Sequence, residues 1–147
     1  MNNAEAITII GAEIGLPDIR LDANETCNLV IDNTFEIYLT GDPRAEELRL
    51  TGVLGELAEF NPDPMALLAS NADALETGRG ALAIDRNTEE VVYVRTINTG
   101  MLDADTLMAE LSDFIKYTAF WEGQLPDMQA APTPGSQDSI DDVMFRL

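Results

Sequence analysis

Two observations in the amino-acid sequence predict an α+β fold. Short runs of alternating polar and apolar residues fall into two groups, residues 26–54 and 81–97, with helically spaced apolar residues before, between and after them. Hydrophobic residues make up 46% of the 147 residues, enough to build a core although 27 Asp and Glu stand against 8 Lys and Arg. The expected order is a helix, an antiparallel strand meander, a helix, a β-hairpin and a C-terminal helix.

The first helix is expected over residues 4–15, where Ile7, Ile10 and Ile14 follow helical spacing and Gly15 is placed to end it. Pro17 turns the chain, and Ile19 and Leu21 form a brief alternating pair before the polar turn Asp22-Ala23-Asn24-Glu25. In Thr26–Ile31, Cys27, Leu29 and Ile31 share one face of a strand, and Asp32-Asn33 makes a tight turn. Phe35–Thr40 alternates next, with Phe35, Ile37 and Leu39 opposite Glu36, Tyr38 and Thr40. After Gly41-Asp42-Pro43, Glu47–Leu54 alternates through Leu48, Leu50, Gly52 and Leu54, completing a meander.

A second helix is expected with Asn61 as N-cap and Pro62 at its first position. Met65 and Leu68, with Leu67 a further candidate, give it an apolar side. Ala81–Ile84 and Val91–Ile97 form the hairpin; Val91–Val94 is so continuous in apolar β-formers that both its faces are expected to be covered. Asp103 caps the last helix, about residues 104–124, along which Leu107, Leu111, Phe114, Ile115, Thr118, Trp121 and Leu125 keep helical spacing. Pro126 stops it. Residues 1–125 are thus expected to form one domain, and the Pro- and Asp-rich residues 126–147 an acidic flexible tail, with Val143, Met144 and Phe145 able to dock as a short apolar plug.

Composition excludes much chemistry. The formal charge is −19, Lys116 is the only lysine, and there is no histidine. Imidazole general bases and His-ligated zinc are therefore absent, and nucleic acid or an anionic membrane surface is repelled. No N-terminal segment resembles a signal peptide and no run approaches the ~20 apolar residues of a membrane helix, so a cytoplasmic protein is expected. Asn24-Glu25-Thr26 matches a glycosylation sequon, which carries no meaning without secretion. Cys27 is alone and sits in an apolar run, as a small buried hydrophobe would. Asp22-Ala23-Asn24 and Asp103-Ala104-Asp105 match fragments of calcium loops but lack the following glycine and glutamate. Gly78-Arg79-Gly80 lacks the lysine of a phosphate loop. Trp121 reads as a packing anchor. No catalytic residue, metal site or cofactor is expected, and the remaining role is to bind another protein.

Several segments, in their order, carry a family resemblance: Ile14-Gly15-Leu16-Pro17 into Leu21-Asp22; Cys27-Asn28-Leu29-Val30-Ile31-Asp32; Leu67-Leu68-Ala69-Ser70-Asn71; Gly80-Ala81-Leu82-Ala83-Ile84-Asp85; and Leu102-Asp103-Ala104-Asp105-Thr106-Leu107 running into Phe120-Trp121-Glu122-Gly123-Gln124-Leu125. Across about residues 5–125 the chain resembles the class I type III secretion chaperones, small acidic cytoplasmic proteins of Gram-negative bacteria, each dedicated to one or a few secreted effectors. The resemblance implies a homodimer that binds an effector's N-terminal segment as extended chain and keeps it soluble and export-competent.

Ile7, Ile10 and Ile14 are candidates for effector contact, with core packing an equal alternative. Val30, Tyr38 and Val53 lie opposite the inward-facing strand residues and are candidates for a partner groove. Met65, Leu68, Val92 and Val94 are candidates for the dimer interface. A regulatory protein that sequesters a regulator of secretion on the same scaffold is the alternative function, and a carboxylate- or metal-dependent hydrolase a remote one.

Overall fold

A computed structural model describes residues 1–130 of the chain. Five strands form one antiparallel sheet: β1 (Thr26–Ile31), β2 (Phe35–Asp42), β3 (Glu47–Glu56), β4 (Ala81–Asp85) and β5 (Glu90–Asn98). Their spatial order is β1-β2-β3-β5-β4, so β1 and β4 are the edges. The meander β1–β3 and the hairpin β4–β5 are those expected from the alternation, joined by pairing of β3 with β5. The tight turn after β1 holds Asp32 and Asn33 at φ of 53°, in the left-handed region that these short polar side chains tolerate.

Two long helices pack on one face of the sheet. α1 (Asn3–Ile14) starts at an Asn2–Glu5 capping box and ends at Gly15, whose φ of 78° suits a residue without Cβ. α5 (Ala104–Gln124) starts at Asp103, whose carboxylate accepts the Thr106 N–H, as the sequence predicts. Ala6, Ile7 and Ile10 of α1 and Leu107, Leu111, Phe114 and Trp121 of α5 join Leu29, Ile37, Leu39, Leu48, Leu50 and Tyr93 in one core. Gly52 lets α5 approach β3 closely: a Cβ there would lie 2.6 Å from the Thr118 side chain. Tyr93 stacks on Phe114 at 5.7 Å between ring centroids, and its buried hydroxyl donates to the Thr77 carbonyl at 2.5 Å. Of Val91–Val94, expected to be covered on both faces, Val91, Val92 and Tyr93 are buried and Val94 is half-buried.

The N-terminus is fastened to the sheet. Asn3 donates to the Glu47 carbonyl at 3.0 Å, and the Thr99 hydroxyl lies 2.7 Å from both Asn3 Oδ1 and the Glu46 carbonyl.

The middle of the chain departs from expectation. Asn61 is not the N-cap of the central helix; it is the C-cap, with φ of 39°, of a one-turn helix α2 (Leu57–Phe60) that the periodicity did not reveal. The helix α3 (Pro64–Asn71) begins one Pro later, with Asp63 as its cap and Pro64 at its first position. Asn61-Pro62-Asp63-Pro64 contains the cap–proline signal twice, and left-handed Asn61 uses up the first copy. A further short helix, α4 (Ala74–Thr77), follows. Leu67 is the residue α3 turns inward, whereas Met65 and Leu68 face out. Ile19 and Leu21 form no strand; they lie in a loop packed against the core.

The fold also runs past Leu125. Leu125–Met128 is a 3₁₀ turn, Asp63 N–H donates to the Met128 carbonyl at 2.8 Å, and Ala130 N–H to the Asn61 carbonyl at 3.0 Å. The expected tail therefore contributes residues 126–130 to the fold. The rest of it, including Val143, Met144 and Phe145, lies outside the described residues.

Candidate partner-binding surfaces

The face of the sheet turned away from α1 and α5 has a regular side-chain pattern. Strand register aligns Asn28, Tyr38, Thr51, Val94 and Ala81 in one row across all five strands. The next row contains Val30 opposite Glu36, and Val53 opposite Val92 and Ala83. Strands lie about 4.8 Å apart, so each row is a continuous band. Val30, Tyr38 and Val53 are thus brought together on one face, as the alternation predicted, and Val94 shares it.

Exposure sorts these residues. Val30 is 57% exposed, Tyr38, Val53 and Val94 are half-buried, and Val92 is only 3% exposed. Val92 offers no surface to a second chain and is corrected from interface to core. The Tyr38 hydroxyl donates to Glu36 at 2.8 Å. That bond, with burial and the charges of Glu36, Glu90 and Asp85, pushes its pKa up to about 12. Arg49 and Arg86 border the same face and are exposed.

On α1, Ile7 and Ile10 are 1% and 0% exposed. They pack in the core, the alternative that the sequence left equal to contact, because the stripe that spaces them points at the sheet. Ile14 is half-buried against the same core. A concavity does run beside α1, lined by Ala4, Thr8, Ile19, Leu21 and Pro43, with Ile7 at its floor. No sequence pattern marks it, because the loop holding Ile19 and Leu21 reaches α1 only in the tertiary fold.

Further exposed apolar side chains lie on α3, α4 and β4. Met65 is 72% exposed, Leu68 66%, Leu75 90% and Ile84 39%. Leu75 and Ile84 escaped notice in the sequence, one because α4 was unforeseen and the other because it alternates within a strand. Among the described residues no group of three or more His, Cys, Asp or Glu could hold a metal ion, and no helix is long and apolar enough to cross a membrane.

The model of the Tir chaperone protein (CesT) family matches residues 5–122. The chain belongs to this family. Solved structures share its fold. A chain of the HopA1–SchA chaperone–effector complex is 24% identical with a TM-score of 0.67, covering 81% of this chain and 91% of its own. A chain of the ExsC–ExsE complex is 20% identical with a TM-score of 0.72, covering 86% and 98%. A chain of the Yersinia pestis complex of the type III secretion chaperone SycH with a stable YscM2 fragment is 16% identical with a TM-score of 0.59, covering 80% and 98%. No curated protein sequence matches significantly. The CesT-family assignment agrees with the resemblance read from the sequence and places the chain among binding proteins, not enzymes.

Proposed function

We propose that this CesT-family chain is a cytoplasmic chaperone that binds the extended N-terminal segment of a type III secreted effector and keeps it export-competent. One observation carries the reading beyond family membership. A partly open sheet face that presents Tyr38, Val53 and Val94 among polar side chains ends at an edge strand whose Val30 is 57% exposed, on a body of charge −19. An extended chain is recognised by such a surface through main-chain pairing at the edge and side-chain contact on the face. The surrounding charge keeps the exposed apolar surface soluble. The ordering cost of a disordered partner is offset only by a long wrapped contact, which a second copy of the chaperone would lengthen. Met65, Leu68, Leu75 and Ile84 support a homodimer built on the β4 side.

The test is capture of bound protein from the native bacterium, identification by mass spectrometry, and titration with the synthetic N-terminal segment of the secreted protein found. Expected is binding that Val30→Asp weakens more than Glu36→Lys does. The magnitudes favour this order: an aliphatic side chain buried is worth ~1.5–3 kcal/mol, an exposed ion pair ~0–1 kcal/mol. Copurification of a regulator of secretion and no secreted protein would replace the reading with the regulatory one. A larger loss from Glu36→Lys would make recognition electrostatic.

A further inference from the structure

We propose that residues 137–147, which lie outside the described residues, dock as a short amphipathic segment on the outer face of this chain's own sheet and cover it until a partner displaces them. The docking is independent of the effector-binding reading; its consequence, competition with an effector, rests on that reading. The match to the family model ends at residue 122, so the segment is not part of what the family shares.

The sequence of the segment carries a helical signal. Ile140, Val143, Met144 and Leu147 recur at the i, i+3, i+4, i+7 spacing of one helix face. Ser139 stands where an N-cap belongs, with Asp142 three residues on. Asp141 and Asp142 fall in the first turn, where the helix dipole favours negative charge. The eight residues Ile140–Leu147 are too few to hold a helix alone in water. The pattern is that of a segment that orders only against an apolar surface.

Charge and reach select the surface. The concavity beside α1 is rimmed by Glu25 and Glu46 and lies at the Glu47–Asn98 end of the sheet. Met65, Leu68 and Leu75 have Asp63, Asp73 and Glu76 as sequence neighbours. Both places repel Asp141 and Asp142. The outer sheet face is different. Arg49 is exposed at one end of it and forms no ion pair among the described residues. Glu36, Asp85 and Glu90 stand at the other end, with Arg86 on the turn beside them. Tyr38, Thr51, Val53 and Val94 lie between. The segment's charges run in the matching order, Asp141 and Asp142 at its start and Arg146 near its end. With its acids at Arg49 and Arg146 toward Glu36, Asp85 and Glu90, its apolar side meets Tyr38, Val53 and Val94. The chain arrives from the right end of the sheet to do this. Ala130 N–H is held by the Asn61 carbonyl and Leu57 N–H by the Glu89 carbonyl, so Ala130 lies toward the β4–β5 turn. Ten Cα steps from Ala130 to Ile140 span up to ~33 Å, whereas Arg49 lies about 23 Å along β3 from Glu56.

Backbone amide NMR of the full chain, compared with full-length Val143→Asp with Met144→Asp, tests the docking with no effector present. The amides of Tyr38, Thr51, Val53 and Val94 should differ in shift between the two, equally in dilute and concentrated protein. A synthetic peptide of residues 137–147, added to the variant at millimolar concentration, should move them back toward their wild-type positions. Arg49→Glu should lose the docked shifts, and Asp141→Arg with Asp142→Arg in the same chain should recover them. Unchanged outer-face amides would overturn the docking, and so would changes confined to Ile19 and Leu21 or to Met65, Leu68 and Leu75. A difference that vanishes on dilution would give the site to a second copy's segment and overturn closure by the chain's own. A tethered segment competes at an effective concentration in the millimolar range, so Val143→Asp with Met144→Asp should bind the effector segment found by the capture above about three- to tenfold more tightly than wild type. Equal affinities in chains that show the docked shifts would overturn the competition. A wild type and variant that both bind no effector segment would remove the effector reading and leave the docking standing.

Discussion

Tyr93 concentrates several constraints in one side chain. Its ring is fully buried against Phe114 and Tyr117, and its hydroxyl reaches the Thr77 carbonyl beneath α4. Burial is the main reason its pKa rises to about 12, with Arg95 acting in the opposite direction. A phenol that holds its proton more tightly when folded contributes stability that is complete below the unfolded pKa, about 10. That contribution is lost as pH rises from there toward 12. Unfolding midpoints in denaturant should therefore be flat at neutral pH and fall across this alkaline window. Tyr38 titrates there too, so Tyr93→Phe should reduce the fall without abolishing it. The same substitution should cost about 1–3 kcal/mol at neutral pH, because the Thr77 carbonyl loses its buried donor. A variant as stable as wild type would mean that water replaces the hydroxyl. Burial likewise raises the pKa of the Cys27 thiol, helped by the nearby Asp22 charge, which fits the inert apolar role read from its strand.

At the level of elements, α5 is held on the sheet by packing and by a charge cluster. Arg95, on the inner face of β5 and 4% exposed, pairs with Glu110 and with Asp113 at 2.9 Å, while Arg79 pairs with Glu110 at 3.0 Å. Removing the carboxylates strands a buried cation. Removing Arg95 leaves acids that reach solvent or Arg79. Glu110→Ala should cost about 1.5–3 kcal/mol, the range for a hydrogen bond to a charged group, and Glu110→Ala with Asp113→Ala about 3–5 kcal/mol. Arg95→Met should cost less than the double change; chemical denaturation that ranks them the other way would refute the asymmetry. Nothing in the sequence pointed to this cluster, since Arg95 falls in an alternating strand at a position that reads as core and its partners fall on a helix 15 and 18 residues away. The elements themselves were legible where a physical signal was unique: the Asp103 cap, the Asp32-Asn33 turn, and the alternation of β1, β2 and β3. They were illegible where signals were doubled, as at Asn61-Pro62-Asp63-Pro64, or where a helix of one turn has no periodicity to show. The outer sheet face was legible from period two alone, whereas the choice between core and contact roles for Ile7 and Ile10 was left open, because a stripe does not say which neighbour it meets.

Across the whole molecule, the closing of the fold and its pairing with a second copy make separate predictions. A variant ending at Leu125 loses the Asp63–Met128 and Ala130–Asn61 backbone bonds and the packing of Met128, whereas one ending at Ala130 keeps them. The shorter chain should be less stable by about 2–4 kcal/mol, from two hydrogen bonds and part of one apolar side chain; equal thermal midpoints would show that residues 126–130 contribute nothing. The proposed dimer is tested on the β4 side. Leu68 is 66% exposed in the single chain, so Leu68→Asp should leave the fold of each subunit intact. A twofold interface carries the change twice. With ~1.5–3 kcal/mol for each buried aliphatic side chain, the dimer should weaken by roughly 3–6 kcal/mol, about a hundredfold to ten-thousandfold in Kd. Light scattering across micromolar concentrations should then find dimeric wild type, dimeric Val30→Asp and monomeric Leu68→Asp. A monomeric wild type would refute the dimer. Dissociation by Val30→Asp in place of Leu68→Asp would move the interface to the outer sheet face, where it would compete with the partner for the β1 edge.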